Sequence, residues 1–212
     1  MHRQNILAIG LLVLVSLAVL TAGYASGRGP LGVFGYAVTR FSHANSGSAS
    51  PDALVSESKS PMAPEFAPGA WINSEPLTLK SLSGRVVLVE FWTFGCYNCR
   101  NTLPAIKEWD ARYREKGLTI VGVHSPEFEE EKKFENVRRE VAALEIHYPV
   151  VTDNDYATWR AYDVSAWPTI FVLDKSGRIR WTHVGEGAYD ETEQVIQKLL
   201  AESEKRTVSN TE

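Results

Sequence analysis

The chain is poor in cysteine: Cys96 and Cys99 are the only two among 212 residues. A small fold stapled by disulfides uses more of them at wider spacing, so that class is excluded. A structural zinc site needs four ligands, and here there is no second cysteine pair and no two histidines stand at ligand spacing. No metal site and no cofactor is therefore expected. Methionine is equally scarce, with two residues, so no thioether cluster is available to a soft metal. Basic charge is not in excess either. Lys and Arg number 22 against 26 Asp and Glu, for a net charge of −4. A nucleic-acid partner is excluded on that ground, because such binders neutralise phosphates with clustered Lys and Arg. No internal repeat is visible.

What is present divides the chain into four stretches. Ile6 to Ala25 contains no charged residue. At ~1.5 Å per residue it covers a hydrocarbon core of ~30 Å, so residues 1–26 are expected to be a membrane anchor. A cleaved signal is the alternative, with Gly23 and Ala25 as the small residues before a cut at Ser26. Residues 27–69 are expected to form a flexible linker. Ser, Ala and Asn dominate its middle and Pro61, Pro64 and Pro68 follow, a composition too polar to offset chain entropy by burial. Residues 70–204 carry the folded domain and 205–212 a tail.

Within the domain the apolar pattern predicts its elements. Leu77 to Leu79 reads as a short strand. Val86 to Trp92 is an almost continuous apolar run, the mark of a strand buried on both faces. Asn101 to Lys116 has Leu103, Ile106, Trp109 and Tyr113 at helical spacing, and Gly117 ends it. Leu118 to Val123 is a second buried strand, Glu130 to Leu144 a charged amphipathic helix, and Tyr148 to Val151 a short strand. Tyr156 to Tyr162 is a short helix with its aromatic residues in the core. Thr169 to Leu173 and Ile179 to Val184 form a hairpin about Lys175-Ser176-Gly177. Glu191 to Ser203 is the last helix. The expected class is α/β, a mixed central sheet with helices on both faces.

Cys96-Tyr97-Asn98-Cys99 stands directly after the first buried strand and opens a helix. At i and i+3 of a first turn the two sulfurs share one face, within the separation a disulfide accepts. The unpaired N–H groups of the helix end favour an anion and lower a thiol's pKa. Cys96 is thus the expected nucleophile and Cys99, one turn in, the resolving thiol of a redox disulfide.

Phe91-Trp92 before the cysteines and Pro104 after them resemble the thioredoxin superfamily. Within it, FWTFGCYNCRNTLP is similar to the TlpA-like and DipZ-like extracytoplasmic thioredoxins, and so are WINSEPL from Trp71, GVHSPEF from Gly122, DNDYATWR from Asp153 and GEGAY from Gly185. The resemblance implies a thioredoxin fold and a thiol–disulfide oxidoreductase. It implies that Glu90 is a buried acid beneath the cysteines, able to relay a proton to or from Cys99. It implies that the Trp167-Pro168 bond is cis, in a loop facing the disulfide, and that Trp167, Pro168, Tyr97 and Asn98 bind substrate. Clients would be thiols or disulfides of exported proteins, with the domain on the extracytoplasmic side. DipZ-type proteins resemble a fusion with a CcdA-like membrane electron channel. Here such a donor would be a separate protein.

Two other functions fit fewer residues. Thr93-Phe94-Gly95-Cys96 satisfies the Thr-x-x-Cys of a peroxiredoxin-type thiol peroxidase, but Val89 stands where that pattern needs proline. Two thiolates could also hold Cu(I) in a chaperone or docking module. His124 reads as a structural histidine. His147 and His183 have no ligand partners. The acidic residues Glu127, Glu129, Glu130 and Glu131 read as a solvated helix start.

Overall fold

The computed structural model describes residues 54–202. The uncharged run Ile6–Ala25, with the anchor expected there, and the tail 205–212 lie outside the described residues. The sheet has six strands: β1 (Trp71–Ile72), β2 (Val86–Trp92), β3 (Leu118–His124), β4 (Val150–Thr152), β5 (Thr169–Leu173) and β6 (Ile179–Val184), in the order β1-β4-β3-β2-β5-β6. β2 runs parallel to β3 and antiparallel to β5. With a neighbour on each side and both faces covered, all seven of its residues are buried, which is why its sequence is apolar without alternation.

The helices are α1 (Tyr97–Tyr113), α2 (Phe134–Ala143), α3 (Ala157–Ala161) and α4 (Tyr189–Ala201). The crossovers β2-α1-β3 and β3-α2-β4 step the same way across the sheet, and one crossover hand then puts α1 and α2 on the same face. There Val86, Leu88 and Trp92 pack with Ile106 and Trp109 of α1, Val137 and Val141 of α2 and Ile196 and Leu199 of α4. The alternate residues Val87, Val89 and Phe91 face the other way, into Phe66, Leu82, Tyr162 and Val164. α3 covers that face through Trp159, whose ring meets Phe91 edge-on.

Three expectations are corrected. Residues 54–69, assigned to the tether, are held along the domain. Val55 donates to the Arg180 carbonyl, Ala63 to Gly177, and Ile179 donates to Pro61. Prolines there lack a donor but keep their carbonyls, and Phe66 is buried against Trp71. Leu77 to Leu79 is no strand. Thr78 and Ser81 trade side-chain and backbone hydrogen bonds, a local alternative to a ladder, and β1 forms instead at Trp71–Ile72. The charged helix from Glu130 splits into a 3-10 turn (Glu129–Lys132) and α2, separated by extended Lys133. Within the 3-10 turn Glu131 turns inward onto backbone N–H groups. The remaining elements fall within a few residues of expectation, with β5 and β6 on their expected bounds.

Gly122 of β3 lies beneath Trp92 and Tyr148. A Cβ there would come within 2.8 Å of Trp92 Nε1 and 3.2 Å of the Tyr148 ring. Gly122→Ala is expected to destabilise the chain by ~1–3 kcal/mol through overpacking. The check is a lower urea midpoint at unchanged m value.

Candidate active site

β2 delivers the chain to the cysteines and α1 takes it away. Cys96 is the N-cap of α1 in extended conformation, and its sulfur accepts the backbone N–H of Cys99 at 3.2 Å. No acidic residue occupies the first turn, so nothing there opposes a thiolate. Cys96 and Cys99 are joined as a disulfide, with Cα atoms 5.3 Å apart. Cys99 is fully buried and Cys96 half-buried. Only Cys96 presents its sulfur to an incoming group, which matches the division of labour read from the sequence.

Glu90 has no exposed surface. It sits on β2 between Gly122 of β3 and Ile170 of β5, on the sheet face that carries α1. The Tyr148 hydroxyl donates to its Oε2 at 3.0 Å, and Oε1 has no hydrogen-bond partner. Burial raises its pKa from 4.5 to about 8, while the Tyr148 bond pulls the other way. At neutral pH this carboxyl holds its proton. The same burial, with Glu90 adjacent, pushes the Tyr148 phenol well above its usual value. Tyr148 was not singled out in the sequence. It was read only as the first residue of a short strand, Tyr148 to Val151, and that strand begins at Val150.

The other predicted residues are placed as follows. The Trp167-Pro168 bond is cis and Pro168 is buried. Trp167 donates its indole N–H to the Ser125 carbonyl at 3.0 Å and packs on Trp159. Trp167, Phe94 and Cys96 all border the apolar cluster beneath α1. Tyr97 is 76% exposed, and Asn98 is exposed beside it. His124 is buried with its Nε2 3.2 Å from the Thr93 hydroxyl and its ring stacked on Phe94. Desolvation lowers its pKa to about 4, so it is neutral. Tyr162 is in the core as expected, while Tyr156 and Trp159 are half-buried.

Glu131 overturns the reading of the acidic run as solvated. It is 1% exposed. Its Oε1 accepts the Gly95 N–H at 2.9 Å, and its Oε2 accepts the N–H groups of Glu127 and Phe128 at 2.6 and 3.0 Å. Three backbone donors compensate the buried charge. A carboxylate three residues after Phe128 is the spacing at which a side chain reaches back to cap a turn, and that was the available signal.

Comparison with known proteins narrows the chemistry. Residues 61–182 match the AhpC/TSA family. The chain belongs to this family. Protein DipZ of Mycobacterium tuberculosis is 41% identical over 133 residues, 61% of this chain, which spans 19% of DipZ. Thiol-disulfide oxidoreductase YkuV of Bacillus subtilis is 27% identical over 135 residues, 64% of this chain and 90% of YkuV. The structure of a thiol-disulfide isomerase from Corynebacterium glutamicum superposes with a TM-score of 0.61 at 26% identity, covering 66% of this chain and 98% of the other. The fold is the thioredoxin fold, with the cysteine pair at the junction of β2 and α1.

Proposed function

We propose that this chain is a thiol–disulfide oxidoreductase that reduces or exchanges disulfides of exported proteins. The observation that carries this reading is the asymmetry of the pair: a half-exposed Cys96 at a helix N-terminus and a fully buried Cys99 behind it. In the reduced chain the Cys96 thiolate attacks one sulfur of a client disulfide. A mixed disulfide forms and one client thiolate leaves. Cys99 then gives up its proton and attacks the Cys96 sulfur, expelling the second client thiolate. Two electrons pass to the client, and the chain is left with the Cys96–Cys99 bond. An external dithiol must reduce it again.

Glu90 is the group to take the proton of Cys99 and return it, because it is buried on the face that carries α1 and titrates near 8. Trp167, Pro168, Tyr97 and Asn98 would border the client strand. A peroxidase is disfavoured by the Thr93 hydroxyl, which is fully buried and engaged with His124. Reduction of insulin disulfides by the reduced chain, run beside peroxide consumption, separates the two. Turnover of insulin with negligible peroxide loss is expected, and the reverse result removes the proposal.

The site of action follows from Ile6–Ala25. A retained anchor with the domain on the extracytoplasmic side suits a protein that serves exported clients, and a separate CcdA-like membrane protein would supply its electrons. Protease added to spheroplasts should degrade the domain. Protection of the domain rules out this topology, and an amino terminus found at Ser26 replaces the anchor with a cleaved signal.

A further inference from the structure

The loop that leads into Cys96 is held from the end of β3 and the segment after it. Ser125 donates its N–H to the Trp92 carbonyl at 3.0 Å, the Thr93 hydroxyl meets His124 Nε2 at 3.2 Å, and the Phe94 ring stacks on His124. Gly95, the last residue before Cys96, gives its N–H to Glu131 Oε1 at 2.9 Å. The approach is close: a Cβ on Gly95 would lie 2.3 Å from that oxygen. Holding a loop does not require a charge. A hydroxyl or an amide oxygen accepts an N–H as well, without the cost of burying a carboxylate. Yet Glu131 is 1% exposed, and its hydrogen-bond partners are three backbone N–H groups, none of them a cation. No ion pair cancels its charge, which therefore acts on whatever lies beside it. The other charged and titratable groups near the pair act less. Glu90 holds its proton at neutral pH and His124 is neutral. Arg100 in the first turn of α1 and Glu186, which accepts from Asn101 Nδ2, are exposed, where water and salt screen them. Around Glu131 itself the charges pair off in solvent, Glu129 with Lys132 and Glu130 with Lys133.

We infer that Glu131 is a positioning residue of the redox pair: the buried carboxylate it holds against the cysteine loop disfavours the Cys96 thiolate and biases the chain toward reducing its clients. The inference rests on the thiol–disulfide reading above and adds the direction in which electrons flow. Two influences meet at Cys96. The N–H groups that open α1 favour the thiolate, and a like charge held one residue away opposes it. The first turn of α1 holds no acid, so the opposition comes from outside the helix. The thiolate exists only in the reduced chain. Whatever disfavours it disfavours the reduced form, and the two electrons pass more readily to the client while the Cys96–Cys99 bond forms. Glu131 touches no client atom and takes no part in the exchange itself.

The test equilibrates the full chain in glutathione buffers and reads the reduced fraction of the pair by alkylation. Glu131→Gln removes the charge. Its pair should stay half-reduced at a [GSH]²/[GSSG] ratio about five- to tenfold lower than the native chain needs, where tenfold is ~30 mV. A second readout separates charge from mere loosening of the loop. In chains that also carry Cys99→Ser, the pH of half-maximal alkylation of Cys96 by iodoacetamide should fall by about one unit with Glu131→Gln, the scale of one nearby like charge. Gly95→Ala gives an independent variant, since its Cβ displaces the carboxylate from the loop and leaves residue 131 intact. Both readouts should move in the same sense there, by less. A glutathione equilibrium that moves while the Cys96 profile stays put assigns Glu131 to structure alone and overturns the inference. So does an unmoved profile in Glu131→Gln or, should that chain not fold, in Gly95→Ala. A native pair that fails to equilibrate with glutathione at all is a different result. It overturns the thiol–disulfide reading itself and takes the inference with it.

Discussion

A Cys96→Ser chain is expected to lose disulfide exchange altogether, while Cys99→Ser captures its clients. The two outcomes differ because the two sulfurs differ in exposure and in their place at the helix N-terminus. Cys96 is half-buried at the first N–H groups of α1, and Cys99 has no accessible surface. A serine hydroxyl is essentially never ionised at neutral pH. Replacing Cys96 therefore removes the only sulfur that can reach a client, and the rate should fall on the order of a thousandfold or more. Replacing Cys99 leaves that attack in place and removes the group that resolves it. The mixed disulfide then has no intramolecular exit and accumulates. Non-reducing electrophoresis of Cys99→Ser cells should show client adducts that vanish on reduction and are absent in the Cys96→Ser,Cys99→Ser chain. The assignment of roles is falsified if Cys99 of the reduced chain alkylates faster than Cys96 at neutral pH.

The parts of this site written in apolar pattern could be read before the structure. VVLVEFW announces a strand covered on both faces, and a CxxC placed between such a strand and a helix leaves few other uses for two cysteines. Glu90 was legible through the resemblance, which implies a buried acid at that position, and its apolar neighbours on both sides agreed. What escaped reading depends on which way a polar side chain turns, and local sequence does not record that. Glu131 stands among acidic neighbours that are solvated, and only three inward-facing backbone N–H groups distinguish it. Tyr148 meets Glu90 across 58 positions of chain, and no periodicity signals that pairing. Residues 54–69 misled by composition. Their Ser and Pro content suits a tether, yet pairing with the edge of β6 and burial of Phe66 fix them in place.

Glu90 should leave its mark on both rate and stability, each near pH 8. In the resolving step Cys99 must lose a proton in a buried setting, and the ionised Glu90 carboxylate can accept it. Exchange should therefore quicken as pH rises through about 8. Glu90→Gln should flatten that limb, about tenfold slower at pH 8, a typical lower size for loss of a general base. Tyr148→Phe is the sharper variant. The Tyr148 bond lowers the Glu90 pKa, so its loss should move the limb to higher pH without abolishing it. Stability gives a second reading in the oxidised chain, where no thiol titrates. Between 4.5 and about 8 the unfolded chain has lost the Glu90 proton and the folded chain keeps it. The folded state binds more protons, so stability is full below 4.5 and falls as pH rises through that window. His124 acts in the opposite sense. Its folded pKa of about 4 lies below 6.5, so its contribution is lost as pH falls from 6.5 towards 4. From 4.5 to 6.5 the two oppose each other, and the Glu90 loss stands alone above 6.5. At up to ~1.4 kcal/mol per pH unit it amounts to about 1–2 kcal/mol by pH 8. Urea midpoints at pH 6.5 and 8 measure it directly. The native chain should lose stability over that interval and Glu90→Gln should not. Equal losses in both chains would show that Glu90 ionises in the folded state as freely as in water, and the proton relay would lose its physical basis.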